Sequence, residues 1–288
     1  MDRTVVARFY QVEPLEARDR TFFDCLQAIW RSADRDQWTE VATEIRIRLL
    51  RYQDAADNAD FVEGEFIRQQ RDNIPPIAPD IGPLEDQDRP LGHRCAFRYH
   101  PRSNVLLLES RREAITPGRI NLLVSQKIRR HKGFHISPCL TQTALERLRG
   151  GTPRAIEFRV ARPADMAIVE GDPLDIEGNL GRLANAFGGP NVEVRVSWPR
   201  GDQDGTLSRR GVQRMLRWST NNRDHVEKLR IKILEEEQPI DVLSEQIKAS
   251  RELDLPPIAD ANFEVRRSFL RQTFDAHFRT IERLYGNG

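Results

Sequence analysis

The chain has 288 residues, of which 39% are hydrophobic and 31% are charged, and its formal net charge is +1. This composition indicates a globular protein with a polar surface and enough apolar residues for one large domain or two ordinary ones. No apolar run approaches the roughly 18 residues of a membrane span, and the first residues lack an apolar signal core, so we expect a cytoplasmic protein. The three scattered cysteines, Cys25, Cys95 and Cys139, exclude a disulfide framework and a Cys-x-x-Cys zinc site.

Charge is distributed unevenly along the chain. Residues 54–88 contain ten acids and two arginines, whereas residues 89–163 contain sixteen basic residues and four acids. Such segregation predicts a basic face directed at a polyanion.

Hydrophobic periodicity predicts strands and helices mixed along the whole chain. The predicted strands cover residues 4–12, 44–52, 61–71, 94–99, 104–110, 134–140, 154–161, 191–198 and 226–234. The predicted helices cover residues 21–31, 117–130, 141–149, 174–187, a basic segment that begins at Ser208, and 262–285. Gly64 marks a possible bulge, residues 74–90 form a Pro-rich acidic loop, and residues 240–253 are interpreted as a strand followed by a turn.

These elements predict an α+β fold with mixed sheets, packed helices, two subdomains and a long C-terminal helix. We expect an N-terminal α/β domain at 1–110 that the C-terminal helix (262–288) joins, and a central basic α/β domain at 111–261. Within the central domain, the strand–helix–strand order of 154–198 predicts two strands of one sheet that a helical crossover connects.

Two basic clusters are the candidate binding residues. One lies at the end of the helix predicted at 117–130, and the other lies in the loop and helix of the segment NVEVRVSWPRGDQDGTLSRRGVQRMLRW, at 191–218. Arginine suits phosphate because its planar fork makes bidentate contacts, and few aromatic residues interleave the clusters, which favours contacts to a duplex backbone over base stacking. The predicted contacts are Lys127, Arg129, Arg130 and Lys132 in the first cluster and Arg200, Arg209, Arg210, Arg214 and Arg217 in the second.

No catalytic or metal-binding motif accompanies these clusters. The sequence has no Walker, Gly-x-Gly-x-x-Gly or Gly-x-Ser-x-Gly motif, and its histidines lack the spacing of a zinc site. Asp172, Asp175 and Glu177 cluster at a predicted helix start, where acids complement the helix dipole. We therefore predict no catalytic residue, cofactor or metal. A nuclease or other enzyme whose site assembles only in the fold remains an alternative, as does a protein-interaction module without nucleic acid.

Several segments carry a family resemblance. They are FYQVEP, FRYHPRSNVLLLES before ITPGRINLLV, HISPCL, IEFRVARP, DIEGNLGRLANAFG, VEVRVSWPR and the closing RLYG. This order resembles the RexA-like proteins of phage exclusion systems, which are similar in fold to the RdgC-type recombination-associated proteins.

The resemblance implies a homodimer that binds double-stranded DNA without sequence specificity, acts as a cytoplasmic sensor and activates a membrane-embedded effector protein. The positions that match the family's basic strand-to-helix region are Arg195, Arg200, Arg209 and Arg210. The long amphipathic C-terminal helix is a second reason to expect a homodimer.

Overall fold

The computed structural model describes residues 2–16, 18–42, 45–70, 91–111, 115–163, 176–198 and 205–286. Its strands are β1 (Asp2–Pro14), β2 (Thr39–Ala42), β3 (Ile45–Asp54), β4 (Val62–Gln70), β5 (Leu91–His100), β6 (Val105–Ser110), β7 (Phe134–Pro138), β8 (Pro153–Ala161), β9 (Asn191–Ser197), β10 (Val226–Ile233), β11 (Ile240–Asp241) and β12 (Lys248–Asp254). Its helices are α1 (Phe22–Arg31), α2 (Pro117–Lys127), α3 (Gln142–Gly150), α4 (Ile176–Phe187), α5 (Arg209–Asn221), α6 (Val242–Glu245) and α7 (Ala259–Tyr285). The predicted mixed fold with a long C-terminal helix is confirmed.

The chain forms two compact units, one of residues Met1–Ile136 with Lys248–Gly288 and the other of Ser137–Ile247. These limits differ from the predicted domains at 1–110 and 111–261. Residues of α2 join the same core as α1, and β12 pairs with β1 from Asp2 to Arg8. Pairing between segments so distant in sequence has no local signal, and a division by sequence position therefore misplaces both segments.

The first unit is built on a sheet of order β12-β1-β6-β5-β4-β3-β2, with β7 also paired to β1. Alternate residues of the strands face opposite sides of this sheet. On one side, Phe66 of β4 and Phe97 of β5 belong to the core that α1 and α2 cover. On the other side, Phe9 of β1 meets Phe274 of α7, with ring centroids 5.3 Å apart. The sheet is therefore a middle layer with helices on both faces.

Helix α7 buries its apolar stripe on its own sheet. Phe263, Phe269, Leu270, Phe274 and Ile281 are buried there. The length and amphipathic pattern that suggest a dimer contact are thus accounted for within one chain.

The second unit is built on a four-stranded sheet of order β11-β10-β8-β9. Residues of α3, α4 and α5 share one core with alternate residues of β8 and β10. The strands of the predicted crossover, β8 and β9, do lie in one sheet. They are direct antiparallel neighbours over seven residue pairs, however, whereas a crossover connects parallel strands.

Three local predictions differ from the structure. Helix α2 ends at Lys127 and not at Arg130, because Ile128 turns to extended backbone and Arg130 adopts φ 66°. The segment 240–253 contains β11, the short helix α6 and most of β12. The irregularity near Gly64 lies in the partner strand, where the register shifts between Leu49 and Arg51. The acidic loop at 74–90 lies outside the described residues.

Candidate nucleic-acid interface

Helix α5 presents one basic and one apolar side. The Ser208 hydroxyl caps its start by accepting a hydrogen bond from the Gly211 amide at 3.4 Å. Val212 and Trp218 are buried, and the Trp218 ring lies 5.4 Å from that of Phe158 on β8. Packing of the apolar side fixes the rotation of the helix, and it turns the basic side toward solvent.

The exposed side of α5 carries Arg210, Gln213 and Arg214. These residues have i, i+3 and i+4 spacing, so they lie on one face within about one turn. The thirteen residues of α5 contain no acid, and two arginines open the helix. Cations near a helix N-terminus oppose the helix dipole, and like charges four residues apart repel each other, so binding of an anion relieves both effects.

Arg209 has a different role from the one predicted. Its guanidinium donates hydrogen bonds to the carbonyl oxygens of Arg149 and Gly151, the latter at 3.0 Å. These carbonyls lie at the end of α3, where the helix leaves acceptors without intrahelical partners and where a cation is favourable. Arg209 therefore joins α5 to α3. This contact explains why a cation lies at the start of α5, and no bound ligand is needed to explain it.

Arg195 lies on the face of the sheet opposite α5. The apolar residues of β9 are Val192, Val194 and Val196, and the strand alternation places Arg195 with Glu193 on the other side. That side carries a row of ion pairs. Glu193 accepts from Arg159 at 2.7 Å and from Lys228 at 2.9 Å.

The remaining residues of the second cluster do not extend this face in a simple way. Arg217 is half-buried, and Arg200 lies outside the described residues. Of the six predicted contacts in this unit, the structure therefore brings together Arg210 and Arg214 on one exposed surface.

The cluster that follows α2 is partly neutralised by acids of its own unit. The Lys127 ammonium lies 2.9 Å from the Asp34 carboxylate and 3.1 Å from its carbonyl oxygen. Hydrogen bonds from Ser32 and Lys127 lower the pKa of Asp34, and the bond from Ser32 has the larger effect. Lys132 is exposed and lies 3.5 Å from Glu16.

Arg129 and Arg130 are exposed in the turn after α2. This cluster belongs to the first unit and α5 belongs to the second. The two predicted clusters are thus features of separate units.

Charged residues that the sequence patterns do not single out form a buried network under α7. Arg266 donates to Glu109 at 2.8 Å and to Glu65, and all three are almost inaccessible to solvent. Arg98 is also buried and donates to Glu63 and to Asp57, the latter at 2.8 Å. Burial raises the pKa of Glu63, and Arg98 opposes that effect.

This network holds α7 on the sheet through paired charges. Arg267 and Asp57 border a shallow cleft beside it. In the sequence, Arg266 reads as the polar side of an amphipathic helix. Two acids on the same side of β4, Glu63 and Glu65, are the sequence signal from which a buried charge network could have been predicted.

The described ranges contain no group of three or more His, Cys, Asp or Glu side chains that could hold a metal ion. Of the acids predicted to cluster at 172–177, Asp172 and Asp175 lie outside the described residues. Glu157 and Arg159, the carboxylate and cation of β8 that come nearest to a nuclease-like pair on one strand, each bind another partner, Lys228 and Glu193 respectively. Among the helices that the structure describes, none has both the length and the apolar composition to cross a bilayer.

The model of a family of unknown function, DUF6731, matches residues 10–280, which is most of the chain. No curated protein matches the sequence. The chain belongs to the DUF6731 family.

Proposed function

We propose that this protein binds the phosphate backbone of double-stranded DNA without sequence specificity, and that α5 provides the main contact. The observation that supports the proposal is the exposed pair Arg210 and Arg214 on a helix without acids. Exposed like charges on neighbouring turns destabilise a helix because they repel each other, and an anion bound between them removes this repulsion.

The geometry of α5 suits a phosphate chain. Residues four apart are about 6 Å apart along a helix axis, so Arg210 and Arg214 can reach successive anionic groups. A guanidinium keeps its charge at every accessible pH and offers a planar pair of donors to phosphate oxygens. Trp218, the aromatic residue of α5, is buried, which favours backbone contacts over stacking on bases.

Arg129, Arg130 and Lys132 supply a second basic contact, from the first unit. The resemblance to RexA-like proteins supports the wider role, a cytoplasmic sensor in phage exclusion that acts as a homodimer and activates a membrane-embedded effector. DNA binding through α5 is the part of that role that can be tested with the purified protein.

The test is a fluorescence anisotropy titration with duplexes of unrelated sequence. If six to ten phosphates are neutralised, affinity falls by about three to five decades between about 50 and about 200 mM salt. An R210A/R214A variant should bind at least about tenfold more weakly for each arginine removed, because each arginine forms a hydrogen bond between charged groups. Its salt slope should fall by about 0.9 for each phosphate that is no longer neutralised.

The control is R18A/R102A, which removes the same charge from exposed arginines of the first unit. It should keep its affinity within about twofold. No binding at low salt, or an equal fall in affinity for both double variants, would refute the assignment to α5. Cleavage of the duplex with Mg²⁺ or Mn²⁺ would favour the nuclease alternative instead.

A further inference from the structure

The edge of β9 that faces away from β8 carries a regular series of backbone donors and acceptors. In the described part of the chain, β9 pairs with β8 on one side only. The Trp198 amide donates to the Arg154 carbonyl at 2.9 Å, and the Arg162 amide donates to the Pro190 carbonyl. Antiparallel ladders alternate between hydrogen-bonded and non-bonded pairs. The even-numbered residues of β9 therefore face β8 with their backbone groups, and the odd-numbered residues direct theirs outward.

Exposed apolar side chains concentrate at this edge. Six large hydrophobic residues of the described chain are exposed, and four of them lie on β9, directly after it, or on α4, which packs against it. Their exposed fractions are 45% for Leu183, 84% for Phe187, 49% for Val196 and 41% for Trp198. An unpaired regular strand with apolar neighbours is a template for pairing with another strand.

The sequence of β9 is complementary to itself. When two copies run antiparallel about a two-fold axis through Val194, Glu193 of each copy lies opposite Arg195 of the other. Val192 then lies opposite Val196. The outward backbone groups of Glu193 and Arg195 face each other in this register, as hydrogen-bonded pairs require. Axes through Glu193 or through Arg195 would instead place like charges opposite one another, which is unfavourable.

We propose that two copies of this chain associate through β9 in the register centred on Val194, which joins their four-stranded sheets into one and gives the homodimer of the proposed function its interface. The contact is isologous and therefore closes after two subunits. It covers Val196 and Trp198, and it gives each Arg195 a carboxylate partner. In its own sheet, Arg195 lies opposite Glu157, whose carboxylate is bound by Lys228.

A pair of charge-reversal variants tests the register. In E193R or in R195E alone, like charges face each other across the axis at both positions, so each variant should have the monomer mass of 33.3 kDa. Equimolar mixing of the two variants restores opposite charges at every position. The mixture should then have the dimer mass in sedimentation velocity, and recovery on mixing shows that both variants are folded.

Cysteine cross-linking provides an independent measurement with a matched control. Residues 194 of the two copies form a non-bonded pair about 4.5 Å apart at Cα, within the range of a disulfide. V194C should give a covalent dimer on mild oxidation, whereas V196C should not, because its thiol lies opposite Val192. The three native cysteines are buried and give little background.

The proposal is overturned if the wild type has the monomer mass at about 100 µM, since this concentration is well above the dissociation constant of a dimer with micromolar affinity. It is also overturned if R195E remains a dimer, or if V194C and V196C cross-link to the same extent.

Discussion

The two sheets of this protein use charge in opposite ways. The sheet of the first unit is covered on both faces, and several of its charged residues form a buried network under α7. Among the described residues, helices cover one face of the sheet of the second unit, and charged side chains form an exposed row on the other face. A buried pair must satisfy its own members, because no solvent can do so. An exposed row costs little and leaves charges within reach of a ligand or a second copy. We therefore expect substitutions of the buried charges to destabilise the first unit, and substitutions of exposed charges to change binding by the second.

Removal of Arg266 should have the largest effect on stability. R266A removes the buried cation that Glu65 and Glu109 share. The cost should be up to about 3–5 kcal/mol, the range for a broken buried pair, because Arg94 and Arg111 remain beside the two carboxylates. Urea unfolding followed by circular dichroism measures the destabilisation. R267A is the control, since Arg267 is partly exposed and lies 3.7 Å from Glu63. Equal destabilisation in R266A and R267A would contradict the assigned role of the network.

Arg209 and Arg210 are neighbours for which we predict opposite results. R209A removes a cation from the end of α3 and should cost about 0.3–1 kcal/mol of unfolding free energy, with little change in DNA affinity. R210A should leave stability within about 0.5 kcal/mol and lower DNA affinity. Thermal unfolding and anisotropy titration of both variants measure the two properties. The interpretation fails if R209A lowers affinity as much as R210A does.

The smallest predicted effect concerns acid titration of the exposed row. Hydrogen bonds from Arg159 and Lys228 lower the pKa of Glu193 to about 2, and the bond from Arg159 has the larger effect. A lowered folded-state pKa stabilises the fold above the ordinary value of 4.5, and this contribution is lost as pH falls from there through about 2.

In R159A, the pKa of Glu193 should rise toward its ordinary value, which a carboxyl NMR titration can follow. R230A is the control, because Arg230 pairs with Asp241 at 3.4 Å and not with Glu193. If the pKa of Glu193 is unchanged in R159A, then the hydrogen bond from Arg159 is not the cause of the lowered pKa.

Local patterns predict most elements of the fold. The apolar run at 105–110, the alternation of β8 and the long stripe of α7 each produce the expected strand or helix, because each pattern matches the face that is buried. The patterns do not contain long-range pairing. For that reason they do not indicate that β12 pairs with β1, or that α2 packs in the same core as α1.

The candidate site shows the same limit at the level of single side chains. Arginine next to a helix start indicates anion binding in sequence, but the structure shows Arg209 bound to carbonyl oxygens of another helix. The alternation of Arg195 with the valines of β9 contains enough information to place it on the face away from α5. The partner of Lys127, in contrast, is an acid 93 positions away, which no local pattern indicates.

The order of the units along the chain has a consequence for synthesis on the ribosome. The second unit is one continuous segment, Ser137–Ile247, whereas the first unit needs β12 and α7 from the segment that follows. During translation the second unit can fold while the sheet of the first still lacks its edge strand and one covering helix. Until α7 emerges, Glu65 and Glu109 lack Arg266, and the face of the sheet that α7 covers stays exposed to solvent. One face of the sheet in the nascent first unit therefore stays solvated. The first unit can complete its fold only after α7, which is synthesised after every strand of the sheet.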